Sequence, residues 1–128
     1  MIVVDTSVWI EADRRPGGPL ASALRSLGEA DEIALALPVR LELSAGTARR
    51  NRKAFLRGLS GLPVVVPSED TWKLVEGWIP VAADRGLRFS LADLMIAALA
   101  HEIAALVWSL DSDFERLEHL KLVRTYSV

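Results

Sequence analysis

Several carboxylates in this 128-residue chain occupy positions where an acidic side chain needs an explanation. Asp5 directly follows the apolar run Ile2–Val4, and Asp93 is the only charge in the apolar stretch LADLMIAALA. A carboxylate among apolar residues is costly unless it is paired, protonated or bound to a cation. The other acids that belong with these two are Glu42, Asp111 and Asp113.

Acids gathered at one place favour a hard divalent cation. They repel one another, and some would become protonated unless a cation lay between them. Ligation by oxygen alone, with no cysteine in the chain, suits Mg²⁺ or Mn²⁺. Four acids can hold two ions about 3.5–4 Å apart, which is the arrangement of two-metal phosphodiester hydrolysis. The acids together therefore predict metal-dependent phosphodiester chemistry.

Taken singly, most of these acids also have a structural interpretation. Asp5 is a favoured residue to cap the first helix, and Ser90–Asp93 has the spacing of a capping box. Glu42 lies between two leucines and fits a solvated helix position. Asp111 is left without such a task, because Ser112–Glu115 supplies a capping box to the following helix.

Apolar, β-branched runs alternate with helical patterns along the whole chain. Strands are predicted at Ile2–Val4, 32–37, 62–67, 106–110 and 122–126, and helices at 7–14, 19–29, 38–46, 48–61, 68–86, 90–104 and 112–120. This alternation predicts a single α/β domain over residues 1–128, with a central parallel β-sheet flanked by helices on both faces. Ligands of such sheets bind beyond the carboxyl ends of the strands, where Asp5 and Asp111 are expected.

The composition narrows the class of protein. The chain is 51% apolar and 25% charged, which is typical of a folded domain. Its net charge of −2 neither indicates nor excludes a nucleic-acid partner, since a local basic face is sufficient for binding. The absence of cysteine excludes disulfides and thiol nucleophiles. Without a signal-peptide pattern at its start or a long apolar run, we expect a cytoplasmic protein with no membrane segment.

The segments VDTSVWI, RLEL, LADLMIAALA and SLDSDFERL together resemble the sequence motifs of PIN domains. They are most similar to those of VapC-type toxins from bacterial toxin–antitoxin pairs, over essentially the whole chain. The resemblance implies a Mg²⁺-dependent endoribonuclease, usually a homodimer, that is held inactive by a cognate VapB-type antitoxin.

The same resemblance implies roles for individual residues. The metal-binding and catalytic acids are Asp5, Glu42, Asp93 and Asp111, with Asp113 sharing or replacing the role of Asp111. Asp5 and Asp93 are the foremost metal ligands in this assignment. Ser7 matches a hydroxyl near the metal and the scissile phosphate, and Ser109 matches the Ser or Thr before the last acid.

RNA needs basic residues beside such an acidic site. The predicted helix over residues 48–61 offers Arg49, Arg50, Arg52, Lys53 and Arg57. They are either a phosphate clamp, with salt-sensitive binding, or a solvated helix face. Further basic candidates near loops and helix ends are Arg14, Arg15, Arg85 and Arg88. Trp9 is a candidate for base stacking, although tryptophans more often belong to cores or interfaces.

Other functions fit part of the pattern. A PIN-fold DNA nuclease or a non-catalytic nucleic-acid-binding module would keep the fold and change the activity. A receiver-like phospho-acceptor domain also clusters acids at a sheet edge, but it needs a lysine at a late strand end, and LVWSL and LVRTY contain none. His101 and His119 are expected to be surface helix residues rather than members of a catalytic triad.

Overall fold

The computed structural model describes residues 1–47 and 52–128. Its strands are β1 (Ile2–Val4), β2 (Ile33–Ala36), β3 (Val64–Val65), β4 (Leu106–Trp108) and β5 (Arg124–Thr125). Its helices are α1 (Thr6–Arg14), α2 (Pro19–Glu29), α3 (Leu37–Gly46), α4 (Arg52–Leu59), α5 (Glu69–Ala83), α6 (Leu91–Glu102) and α7 (Asp113–His119). The predicted order of elements is confirmed, although β3 and β5 are shorter than the apolar runs that contain them.

The strands form one parallel sheet in the order β3-β2-β1-β4-β5. The chain builds outward from β1 through β2 to β3 and then crosses to the other side of β1 for β4 and β5. The strand order therefore reverses between β1 and β4, and open parallel sheets bind their ligands at such a point. The predicted α/β fold with a parallel sheet is confirmed.

Side chains alternate between the two faces of the sheet, as the pleat requires. Val3 and Val107 belong to a core with α3, α5, α6 and α7. Ile2, Val4 and Trp108 belong to a second core with α1 and α2. Helices thus cover both faces, which is why the central strands β1, β2 and β4 are apolar at every position.

Helix α6 is the most deeply buried helix of the described structure. Ser90 caps its first turn by accepting a hydrogen bond from the backbone N–H of Asp93 at 3.1 Å. Residues 94–100 are all buried, so the helix is apolar nearly all round. Asp93, in its first turn, is thereby held at the edge of the core. No helix in the described ranges is long and apolar enough to cross a membrane.

Replacement of Leu99, which is 1% exposed on α6, tests this packing. We expect Leu99→Ala to lower the free energy of unfolding by roughly 2–5 kcal/mol, because it leaves a cavity that its neighbours cannot fill. Leu91→Ala is the control on the same helix, since Leu91 is 58% exposed. Urea denaturation compares the two variants, and equal losses would contradict the burial of α6.

Candidate metal centre

Asp5 lies at the point where the strand order reverses. The register pairs Val4 with Trp108, and the backbone N–H of Asp5 donates to the Trp108 carbonyl at 2.8 Å. The loop after β4 therefore runs directly beside Asp5. Only 6% of Asp5 is exposed.

Two serine hydroxyls orient the Asp5 carboxylate. Ser7 and Ser109 each donate a hydrogen bond of 2.7 Å to its Oδ2 atom. Each serine oxygen also accepts from the loop after β4, Ser7 from the N–H of Leu110 at 3.0 Å and Ser109 from that of Asp111 at 2.9 Å. Asp5 is at the N-cap position of α1 but makes no side-chain cap hydrogen bond. Asp5 therefore occupies the predicted N-cap position, but its carboxylate does not cap the helix.

Asp93, Asp111 and Asp113 form a compact acidic group. One carboxylate oxygen from each lies within 4.8 Å of the others, the geometry of a site that can hold a metal ion. The three side chains come from the first turn of α6, the loop after β4 and the first turn of α7. An all-oxygen donor set of this kind suits a hard divalent cation.

The negative charge of Asp93 is unfavourable in this group. The pKa of Asp93 is raised from 3.8 to about 6, first by burial and then by the negative charges of Asp111, Asp5 and Asp113. A hydrogen bond from Ser90 acts in the opposite direction. A positive charge placed among these carboxylates would relieve both the burial cost and the repulsion.

Asp111 has a structural role that the sequence did not predict. Its Oδ1 atom accepts a hydrogen bond from the N–H of Asp113 at 2.9 Å. The predicted capping box at Ser112 is wrong, because the Ser112 side chain makes no cap hydrogen bond and its backbone is already helical. Asp111 thus holds the entry to α7 with one oxygen.

Glu42 lies at the rim and outside the acidic group. Its side chain is exposed on α3, and its Oε1 atom accepts a hydrogen bond from the Thr6 hydroxyl at 3.1 Å. Glu42 lines a cleft of about 550 Å³ together with Trp9, Phe55 and Arg14. The connection through Thr6, the neighbour of Asp5, places Glu42 on the side of the site that faces α1.

The predicted basic helix is described only in part. Arg49 and Arg50 lie outside the described residues, and nothing is described of the Arg52 side chain. Lys53 and Arg57 are exposed on α4. The remaining basic candidates are also exposed, with Arg15 paired to Glu11 at 3.3 Å; they are Arg14, Arg15, Arg85 and Arg88.

The aromatic and histidine expectations have separate outcomes. The Trp9 ring N–H donates to the Val4 carbonyl at 3.2 Å, so this half-buried indole fixes α1 to β1. Its role in base stacking stays a prediction. His101 and His119 are exposed on their helices, as expected.

Sequence reasoning missed Arg116, a cation that is in contact with the acidic group. Its Nη1 atom donates to Asp113 Oδ1 at 2.7 Å. The signal was available, because an acid and an arginine three residues apart lie on the same face of a helix.

The fold and sequence are similar to those of characterised proteins. The family model for the PIN domain matches residues 2–120. Ribonuclease VapC11 of Mycobacterium tuberculosis and a VapC ribonuclease of Mycobacterium bovis are each 33% identical over 120 residues, which is 90% of this chain and 90% of each relative.

Solved structures agree in fold. The structure of VapBC2 from Rickettsia felis bound to a promoter DNA fragment matches with a TM-score of 0.81 at 19% identity, over 98% of both chains. VapBC-5 from Mycobacterium tuberculosis matches with a TM-score of 0.72 at 26% identity, over 98% of this chain and 97% of that one.

The raised pKa of Asp93 predicts how stability depends on pH in chelator. The pKa of Asp93 is about 6 in the folded state, whereas the ordinary aspartate value of 3.8 applies to the unfolded chain. Between these two pH values the folded state therefore binds more protons than the unfolded state. The stability of the protein consequently falls as pH rises through this interval. We expect Asp93→Asn to raise the Tm at about pH 7 and to change it little near pH 4. Asp31→Asn, at an exposed position with φ of 55°, is the control. A lower Tm for Asp93→Asn at neutral pH would contradict the repulsion.

Removal of the Ser109 hydroxyl tests the hydrogen bonds that hold Asp5. Ser109→Ala should lower the free energy of unfolding by about 1–3 kcal/mol, because it removes a donor to a buried carboxylate and the acceptor for the Asp111 N–H. Ser109→Thr keeps the hydroxyl and should lose less. Urea denaturation is the measurement, with Ser22→Ala at an exposed site of α2 as control. Equal stability of the alanine variants would show that this contact is unimportant.

Proposed function

Because the chain belongs to the PIN-domain family, among its VapC ribonucleases, we propose that it is a metal-dependent endoribonuclease and the toxin of a type II toxin–antitoxin pair. The substrate is RNA, and the partner that inhibits the enzyme is a cognate VapB-type antitoxin. We further propose that residues 1–128 form one PIN domain, that the active form is a homodimer and that it works in the cytoplasm, where its RNA substrate lies.

The acidic group of Asp93, Asp111 and Asp113 is the observation that carries this proposal. Its oxygens lie within 4.8 Å of one another, beside the buried Asp5, at the point where the strand order reverses. Carboxylates that lie this close together repel one another, and a site of this kind suits a cation. The site therefore supports hydrolysis assisted by a metal ion.

The donors fit Mg²⁺ or Mn²⁺. Both ions accept carboxylate oxygens together with water and need no nitrogen or sulfur ligand. When bound, such an ion activates water as a nucleophile and stabilises charge on the phosphate and the departing oxygen. The proposed ligands and catalytic acids are Asp5, Glu42, Asp93 and Asp111, with Asp113 as an additional or alternative ligand to Asp111.

The residues of the chain supply orientation. Ser7 and Ser109 both donate hydrogen bonds to Asp5 Oδ2. These neutral hydroxyls fix the orientation of the carboxylate, so no positively charged side chain is needed to orient its other oxygen. This arrangement gives the hydroxyl of Ser7 a structural role, since it donates to Asp5 and accepts from Leu110. Exposed Lys53 and Arg57 on α4 supply basic groups for RNA.

The other functions are less well supported. The family match favours a nuclease over a receiver-like phospho-acceptor. A DNA nuclease and a non-catalytic nucleic-acid-binding module share the fold, and cleavage assays on RNA and DNA of the same sequence separate them from the proposed ribonuclease.

Asp5→Asn should abolish RNA cleavage while the fold is retained, because the amide removes one negative ligand charge and keeps the size of the side chain. Purified protein is incubated with RNA and Mg²⁺ or Mn²⁺, with and without chelator, and products are resolved by electrophoresis. We expect wild-type cleavage to stop in chelator. Asp31→Asn, which changes an exposed acid after α2, should cleave as wild type does.

The same samples provide a reading that is independent of activity. Mg²⁺ should raise the Tm of the wild type and of Asp31→Asn more than that of Asp5→Asn, because ligand binding stabilises the folded state. Cleavage by Asp5→Asn at the wild-type rate would refute the proposed centre. Cleavage of DNA but not of RNA would show that the protein is a DNA nuclease of the same fold.

A further inference from the structure

Arg116 is anchored to the acidic group through one nitrogen of its guanidinium. Nη1 donates to Asp113 Oδ1 at 2.7 Å and to the Ser112 hydroxyl at 3.0 Å. The described residues contain two other ion pairs, Arg15 with Glu11 and Lys73 with Glu69, and neither involves the acids of the centre. Arg116 is thus the described cation that pairs directly with the proposed metal ligands.

We propose that Arg116 binds a phosphate of the RNA beside the metal centre, an inference that rests on the proposed ribonuclease function. A guanidinium carries five N–H donors in a planar fork. In Arg116 one nitrogen makes both contacts, and within the described structure Nε and Nη2 donate to no protein group. The side chain is 50% exposed, so these donors are accessible to a phosphate.

The negative charge of the site explains why an arginine at its rim would help RNA to bind. The phosphates of RNA are repelled by the carboxylates that bind the metal, and a divalent ion offsets only part of that charge. A guanidinium fixed at the rim by Asp113 adds a positive charge next to the reacting phosphate. Because its position is set before RNA binds, less side-chain entropy is lost on binding than for a free surface arginine.

A purely structural role makes different predictions. An exposed acid–arginine pair on a helix contributes little to stability, and its loss alone would change neither RNA affinity nor the salt dependence of binding. Phosphate binding changes both quantities, since each neutralised phosphate releases counterions from the RNA. The salt dependence therefore distinguishes the two roles.

The experiment compares Arg116→Gln and Arg116→Lys with Lys73→Gln, which removes the cation of an exposed helical pair on α5. Each change is made in the Asp5→Asn background, which should bind RNA without cutting it. Affinity for a short fluorescent single-stranded RNA is measured by anisotropy over a series of salt concentrations.

Arg116→Gln should weaken binding by about ten- to a hundredfold, the effect of losing one charge-assisted hydrogen bond. The slope of log affinity against log salt should become shallower by about 0.7, the value for one phosphate of a single strand. Arg116→Lys should keep the slope and lose part of the affinity, because lysine retains the charge without the paired donors. Lys73→Gln should change neither quantity.

Three further measurements separate phosphate binding from effects on the fold or the metal. With Asp5 intact, Arg116→Gln should lower kcat/KM for RNA cleavage by a similar factor. Its Tm should stay near that of Lys73→Gln, and its affinity for Mn²⁺, measured by calorimetry, should stay within about threefold of wild type.

An unchanged salt slope in Arg116→Gln overturns the inference, and so does an equal loss of affinity in Lys73→Gln. If Arg116→Gln unfolds, Arg116→Lys decides, and wild-type affinity in that variant overturns the inference. A wild-type protein that cleaves no RNA with Mg²⁺ or Mn²⁺ refutes the proposed function instead, while the binding series still decides the role of Arg116.

Discussion

The parallel pairing of β1 with β4 is the constraint on which the site depends. These two strands lie side by side although about 100 residues separate them in the chain, and both end at the same edge of the sheet. The pairing continues one step beyond the strands through the hydrogen bond from Asp5 N–H to the Trp108 carbonyl. A loop that leaves β4 has to pass Asp5, and α6, packed against β4, delivers Asp93 to the same edge. The acids converge because the segments that carry them all end or begin at the same edge of the sheet.

The carboxylates that converge at the site repel one another, and this repulsion lowers the stability of the folded state. The groups that hydrogen-bond to these carboxylates are mainly neutral. Ser7 and Ser109 hold Asp5, and backbone N–H groups bind the serine oxygens and Asp111. Neutral donors fix the geometry and leave the negative charge in place for a cation. Burial, and then the neighbouring negative charges, still raise the pKa of Asp93. Replacement of Asp93 by a neutral residue would favour stability while removing a proposed metal ligand, a conflict that is common at active sites.

Local rules predicted the elements of this protein well, because apolar periodicity, proline and glycine positions, and helix caps act over a few residues. Ser90 caps α6 as its spacing predicts. The same spacing at Ser112 failed, because Asp111 binds the Asp113 N–H first and the backbone of Ser112 is already helical. Sequence also identified the acids. It left open whether Asp113 joins Asp93 and Asp111, and it grouped Glu42 with them, since the outcome depends on how α7 and α3 pack against the sheet.

The carboxylates of Asp5, Asp111 and Asp113 share one pattern, in which a single oxygen is held by the protein. Asp5 has Oδ2 bound by two hydroxyls, Asp111 has Oδ1 bound by the Asp113 N–H, and Asp113 has Oδ1 bound by Arg116. In each case the second oxygen accepts no hydrogen bond from the described residues. Three carboxylates with one held and one available oxygen are suited to single-oxygen ligation, which leaves room for the water that Mg²⁺ retains. Asp111 and Asp113 are also linked to each other, because Asp111 accepts a hydrogen bond from the Asp113 N–H and Asp113 in turn accepts one from Arg116.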